Sequence, residues 1–218
     1  MIIPADLLKN KKILLGVTGS IAVYKSLELT RLFTQAGADV KVVMSQSAQK
    51  FVTPLCFETL SGNKVLDDTN ESWTDDHNHI KATRWADIFV IAPCTANTIA
   101  KLSNAIADTM LLQCALAYPG LKVIAPSANT HMIENPIIQT NIQILKKTNY
   151  EITQTQVKEL ACKTVGEGAM ADPLDIFWHA SRALLSNDFY KNRKVIITGG
   201  GTVEKIDDIR HISNFSSG

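Results

Sequence analysis

The run Lys12-Ile-Leu-Leu-Gly-Val-Thr-Gly-Ser-Ile-Ala-Val-Tyr-Lys25 constrains this chain more than any other stretch. Its residues Ile13 to Val17 are enough for one buried strand, and Thr18-Gly19-Ser20 breaks it. From Ile21 the apolar positions change to helical spacing, at Ile21, Ala22, Leu27, Leu29, Leu32 and Phe33. A strand that feeds a glycine turn and then a helix can make an anion site. The turn lets backbone approach a ligand, and the helix start offers unpaired N–H groups and partial positive charge. Ser20 either caps that helix or donates to a phosphate oxygen. The stretch contains neither Gly-x-Gly-x-x-Gly nor Gly-x-x-x-x-Gly-Lys. On its own it leaves a phosphate site and an ordinary strand-to-helix turn equally open.

Downstream, the same alternation repeats. Ala38 to Met44 reads as a second strand, and Ser45 begins a helical stretch toward Phe51. Pro54 to Leu60 reads as a short helix ended by Ser61-Gly62-Asn63, and the polar segment 67–78 as a loop. Asp87 to Ala92 is a buried strand, broken by Pro93, with a helix resuming at Thr98. Leu111 to Ala117 reads as a buried helix, Leu121 to Ala125 as a strand, and a helix starts at Asn135-Pro136. This pattern predicts an α/β fold: a doubly wound, Rossmann-like or flavodoxin-like parallel sheet with helices on both faces. Four strand ends then carry small polar groups, at Ser20, Ser45, Thr95 (with Asn97 close behind) and Asn129. In open α/β sheets such ends face the ligand crevice; a helix cap explains each of them equally well when taken alone.

After Cys162, Gly166-Glu167-Gly168 reads as a flexible loop, and Pro173 opens a helix to about Ser186 whose Leu174, Phe177, Trp178 and Leu184 pack on the domain. The expected organisation is one domain over 1–187, a linker over 188–193, and a separate segment over 194–218. That last segment, Lys194-Val-Ile-Ile-Thr-Gly-Gly-Gly-Thr202 onward, reads as the first strand and turn of a second nucleotide-type domain, too short here to build a core of its own.

Bulk properties narrow the function classes. The 218 residues carry a net charge of +1, which gives no general electrostatic case for nucleic acid or an anionic membrane. No segment reaches transmembrane length, and the N-terminus has no basic, apolar leader pattern. The four cysteines form no Cys-x-x-Cys pair and no metal spacing with the five histidines, so no metal site is expected and the thiols read as reduced, in a cytoplasmic protein.

Five segments, in this order, resemble the bacterial bifunctional flavoproteins of coenzyme A biosynthesis, which join phosphopantothenoylcysteine decarboxylase to phosphopantothenate–cysteine ligase. They are Gly16-Val-Thr-Gly-Ser-Ile-Ala-Val-Tyr-Lys25; His79-Ile80 with Trp85-Ala-Asp87 and Ile91-Ala-Pro-Cys-Thr-Ala-Asn-Thr-Ile-Ala-Lys101; Pro126-Ser-Ala-Asn-Thr-His-Met132; Ala161-Cys162 with Gly166-Glu-Gly-Ala-Met170; and Ile209-Arg-His-Ile-Ser-Asn-Phe-Ser-Ser-Gly218. The third departs from the family's usual pattern at Ala128 and Ile133, and the fourth at Lys163.

The resemblance implies FMN held by Gly19, Ser20, Ile21, Ser45, Thr95 and Asn97. It implies catalysis by His79, Asn129 and Cys162, with Asn129 and Met132 contacting the substrate 4′-phosphopantothenoylcysteine. It implies a homo-oligomer, a trimer that can build into a dodecamer. CTP and Mg2+ would serve only the ligase half, so this chain is expected to lack ligation. The implied chemistry removes a hydride from the substrate's CH2–SH carbon, giving a thioaldehyde. CO2 is then lost to an enethiol, and the hydride and a proton return to give 4′-phosphopantetheine. His79 would accept the thiol proton or hold the carboxylate, Cys162 would supply the final proton, and Asn129 offers donor and acceptor without charge. A flavin-dependent peptidyl-cysteine decarboxylase and a non-catalytic FMN-binding relative share most of these features. The segment from Lys194 disfavours the first, and His79, Asn129 and Cys162 together disfavour the second.

Overall fold

A computed structural model describes residues 3–159 and 165–216. The chain divides into two compact units, Met1–Leu185 and Ser186–Gly218. The larger unit is built on five parallel strands, β1 (Lys12–Val17), β2 (Asp39–Met44), β3 (Ile88–Cys94), β4 (Lys122–Pro126) and β5 (Tyr150–Ile152), in the order β2-β1-β3-β4-β5. The chain moves outward from β1 to β2, then returns past β1 to β3. The winding direction therefore reverses between β1 and β3, and the crossover loops diverge there.

Parallel strands need both faces covered, and these strands are apolar on both. Ile13, Leu15 and Val17 of β1 join Val40, Val42 and Met44 of β2 in one core. Helices α1 (Val23–Gln35), α2 (Pro54–Ser61) and α8 (Pro173–Leu185) cover it through Leu29, Phe33, Phe57 and Phe177. Leu14, Phe89, Ile91 and Ile124 point the other way. Over them lie α3 (His79–Trp85), α4 (Ala96–Ser103), α5 (Met110–Ala117) and α7 (Pro136–Lys146), with one short turn, α6 (Thr130–Ile133), ahead of α7. Among the described residues no helix is long and apolar enough to cross a membrane.

The structure departs from the sequence reading in several places. Strand β3 does not stop at Pro93 but runs through it to Cys94, and its ladder with β4 slips between Ile91 and Cys94, where proline supplies no N–H. Ile21 is not on the buried stripe of α1, which starts two residues later; it is 60% exposed. The helical stretch expected after Ser45 is one 3-10 turn, Ala48–Lys50. The segment around Gly166-Glu167-Gly168 is not a loop but strand β7 (Val165–Ala169), paired antiparallel with β6 (Gln156–Glu159). Gly168 takes φ +128°, and its backbone lies against the Ala128 carbonyl, so no side chain fits there. The periodicity of two that would have revealed this hairpin is masked by the paired glycines.

In the smaller unit, Val195–Thr198 is not a strand. Ile196 and Ile197 are 89% and 88% exposed, because no neighbouring parallel strand is present in the described unit to receive them. The strands that do form are β8 (Val203–Lys205) and β9 (His211–Ser213), an antiparallel pair.

Candidate functional site

The carboxyl ends of β1, β2, β3 and β4 open into one cleft of about 500 Å3. Gly19, Ser20, Ser45, Thr95, Asn97 and Met132, six of the residues singled out from sequence, line it. They lie far apart in the chain, and the sheet order alone gathers them. Gly19 is required by close approach. A Cβ at this position would stand 2.5 Å from the Ser47 Cβ and 2.9 Å from its carbonyl carbon.

Hydroxyl groups hold the strand ends together. Thr18 Oγ1 donates to the Pro93 carbonyl at 2.7 Å and accepts from the Thr95 N–H at 3.1 Å, joining the end of β1 to the end of β3. Ser20 Oγ lies 2.9 Å from Ser127 Oγ, reaching across to the end of β4, and accepts from the Ala22 N–H at 3.2 Å. Ser45 Oγ accepts from the Ala48 N–H, and Thr95 Oγ1 caps α4 by accepting from the Thr98 N–H. The apolar part of the lining is formed by Leu111, Leu112, Ala128 and Met132. The cleft is thus amphipathic: neutral hydroxyl and amide groups and the charged side chains of Asp68 and Lys101 line it together with an apolar surface for a flat ring. Its size suits a mononucleotide-sized ligand.

Asn129 is not among the lining residues, though Ala128 and Met132 on either side of it are. Its side-chain oxygen accepts from the His131 N–H at 3.0 Å and caps α6. His79 is also outside the lining. It is the first residue of α3, whose last residue, Trp85, lies against Lys12 at the amino end of β1, so His79 sits toward the cleft's end of the sheet. Its Nδ1 lies 2.7 Å from Glu71 Oε1, and the Trp73 ring meets it edge-on at 5.6 Å. Glu71 belongs to the polar segment 67–78, whose Asp68 reaches the cleft. The same segment therefore borders the cleft and orients the histidine. Asp67 anchors it: burial opposes its ionisation, but bonds from Thr69 and Gln49 outweigh this and hold its pKa below the usual value. Cys162 lies outside the described residues.

Residues 2–183 match the family described as Flavoprotein. The chain belongs to that family. Residues 190–218 of this flavoprotein match a second family, described as DNA/pantothenate metabolism flavoprotein C-terminal domain. The flavoprotein is similar to the coenzyme A biosynthesis bifunctional protein CoaBC of Bacillus subtilis (strain 168), 41% identical over 97% of this chain and 53% of that protein. It is also similar to the CoaBC protein of Borreliella burgdorferi, 39% identical over 96% and 54%. The chain thus spans about half the length of these curated relatives. Among solved structures it resembles a PPC decarboxylase, a cysteine-to-serine mutant complexed with pantothenoylaminoethenethiol. That match has a TM-score of 0.72 and 30% identity, and covers 79% of this chain and 97% of that one. The FMN-dependent cysteine decarboxylase SpaF is similar as well, with a TM-score of 0.71, 27% identity, and coverage of 82% and 97%.

Several residues escaped the sequence reading. Thr18, Ser47 and Ser127 line the cleft, and Ser127 follows a strand end as directly as Ser45 does, so the same rule would have found it. Glu71 left no local signal, because its partner is eight residues away across an irregular segment. Lys25 was visible only as part of a motif. Its Nζ donates to the Met170 carbonyl at 2.9 Å and to Asp172 Oδ1 at 3.1 Å, tying α1 to the chain just after β7.

Proposed function

We propose that this flavoprotein binds FMN in the cleft at the β1/β3 reversal and decarboxylates 4′-phosphopantothenoylcysteine to 4′-phosphopantetheine. The observation that carries the reading is the amphipathic cleft itself, with Gly19 pressed against Ser47 and small hydroxyls at four strand ends. These groups fit the cofactor. Ser20, Ser45, Thr95 and Asn97 offer neutral donors to a phosphate and to the polar edges of a ring, and Leu111, Leu112 and Met132 offer an apolar wall. FMN, when bound, supplies the two-electron oxidation and re-reduction that let the substrate lose CO2.

The chain's own residues handle position and protons. Glu71 accepting from His79 Nδ1–H leaves Nε2 as the acceptor, suited to take the substrate thiol proton; once it carries that proton, Nε2–H can donate to the substrate carboxylate. Asn129, with its oxygen engaged in the α6 cap, has a fixed orientation from which to meet the substrate. Met132, 52% exposed beside it, offers an apolar contact. Cys162 supplies the last proton; its replacement by serine is expected to leave CO2 release intact and to accumulate the enethiol. Ile21 and Tyr24, 60% and 61% exposed at the start of α1, favour a homo-oligomer, a trimer or an assembly of trimers. We assign the decarboxylase domain to 1–187, the linker to 188–193 and the ligase-type segment to 194–218, and we assign CTP and Mg2+ to ligase chemistry, not to the cleft.

The test is CO2 release by the purified chain from phosphopantothenoylcysteine and, in parallel, from a peptide ending in cysteine. Release from the first alone is expected. Release from the peptide alone would transfer the protein to the peptidyl-cysteine class, and release from neither would leave a flavin-binding protein without this activity.

A further inference from the structure

The opposite end of the sheet holds a second cavity, of about 400 Å3, beneath the amino ends of β4 and β5. Its walls come from α4, α5 and α7 and are mainly apolar, and Lys122 is the single charged residue among the described residues lining it. Lys122 is 3% exposed. Its Nζ donates to the Tyr118 carbonyl at 2.6 Å and stands 5.5 Å from the Tyr118 ring and 5.0 Å from the Tyr150 ring. No carboxylate among the described residues pairs with it. A buried ammonium without a carboxylate is rare, because leaving water costs it several hydrogen bonds. The carbonyl takes one of its three N–H groups. Burial accordingly pushes the Lys122 pKa down, to about 8. Nothing in the decarboxylation chemistry calls on this lysine.

We infer that this cavity is a second ligand site for a small amphipathic monoanion, a medium-chain carboxylate whose head group meets Lys122 Nζ and whose chain lies along Ile106, Leu116 and Ile144. Three features carry this. The cation is already desolvated, so an arriving carboxylate gains a charge-assisted hydrogen bond without a second large dehydration of the lysine. Among the described residues, the wall has no acid to repel an anion. The apolar lining continues to the rim, where Ile106, Leu116 and Ile144 are 47%, 61% and 43% exposed.

Octanoate is the probe, with 1-octanol as its uncharged counterpart, titrated into the full chain by calorimetry while the methyl signals of Ile106 and Ile144 are followed by NMR. Octanoate is expected to bind saturably and to shift those methyls, and octanol to bind about tenfold more weakly or worse, the size of one charge-assisted bond. Lys122→Met, which keeps the stem, should weaken octanoate by about tenfold and leave octanol unchanged. Ile106→Glu, at the exposed rim, should weaken octanoate without disturbing the fold, so the test survives if Lys122→Met does not fold. Octanoate that fails to saturate, that leaves the methyls unmoved, or that binds no better than octanol would overturn the inference. So would equal affinity in the Lys122→Met protein.

Discussion

The chain contains two glycine turns after apolar runs, Ile13 to Gly19 and Val195 to Gly201, and they have different fates. The first strand pairs on both sides, with β2 and β3, and its turn lies in a cleft shared by four strand ends. The second run forms no strand, and a Cβ at Gly200 would meet nothing within 4 Å. The local sequences are alike, but the surroundings are not. A glycine turn becomes a ligand site when parallel neighbours bring other strand ends alongside it. The turn supplies backbone access, and the neighbours supply the donors and the wall.

The sharpest way to break this comparison is to give each turn a methyl group. Gly19→Ala would drive a Cβ into Ser47, so the purified variant should lose nearly all its flavin absorbance. Gly200→Ala should retain all of it, although φ there is +104° and a small local strain follows. Equal flavin content in the two variants would remove the distinction. Next in size, Glu71→Gln should lower turnover by about 10²-fold, the scale of one misplaced acid–base group, with flavin content unchanged. A change in flavin content instead would place Glu71 in the binding wall.

A smaller effect is expected at the joint between strand ends. Thr18→Val removes the hydroxyl that donates to the buried Pro93 carbonyl and accepts from the partly buried Thr95 N–H. Urea unfolding should show a loss of roughly 2 kcal/mol, the cost of leaving such groups unpaired. The smallest effect belongs to the second turn. Deleting Lys194 onward should change neither flavin content nor the stability of the larger unit by more than about 0.5 kcal/mol. A large loss of either would mean that the second run contributes to the first unit.

The parallel sheet was legible because its strands are continuous apolar runs broken by small polar residues, a pattern that burial on both faces imposes. The cleft followed from the same rule, applied at Ser20, Ser45 and Thr95. Strand β5 was not legible: Tyr150-Glu-Ile152 is three residues long and half-buried, with no run to read. The β6–β7 hairpin was hidden by Gly166 and Gly168, which serve contacts with Thr130 and Ala128 that sequence cannot show. Lys122 reads as an ordinary charged flank to a strand, and only the packing of Tyr118 and Tyr150 around it makes it unusual. Local pattern reveals what a residue's own backbone requires, and it does not reveal partners that arrive from distant segments.

The most direct measurement is the identity and amount of what the purified protein releases on denaturation. Chromatography of the supernatant should find FMN, equimolar with the wild-type chain and nearly absent from Gly19→Ala. A nicotinamide nucleotide, no chromophore at all, or FMN that persists undiminished in Gly19→Ala would contradict a flavin site at the β1/β3 reversal.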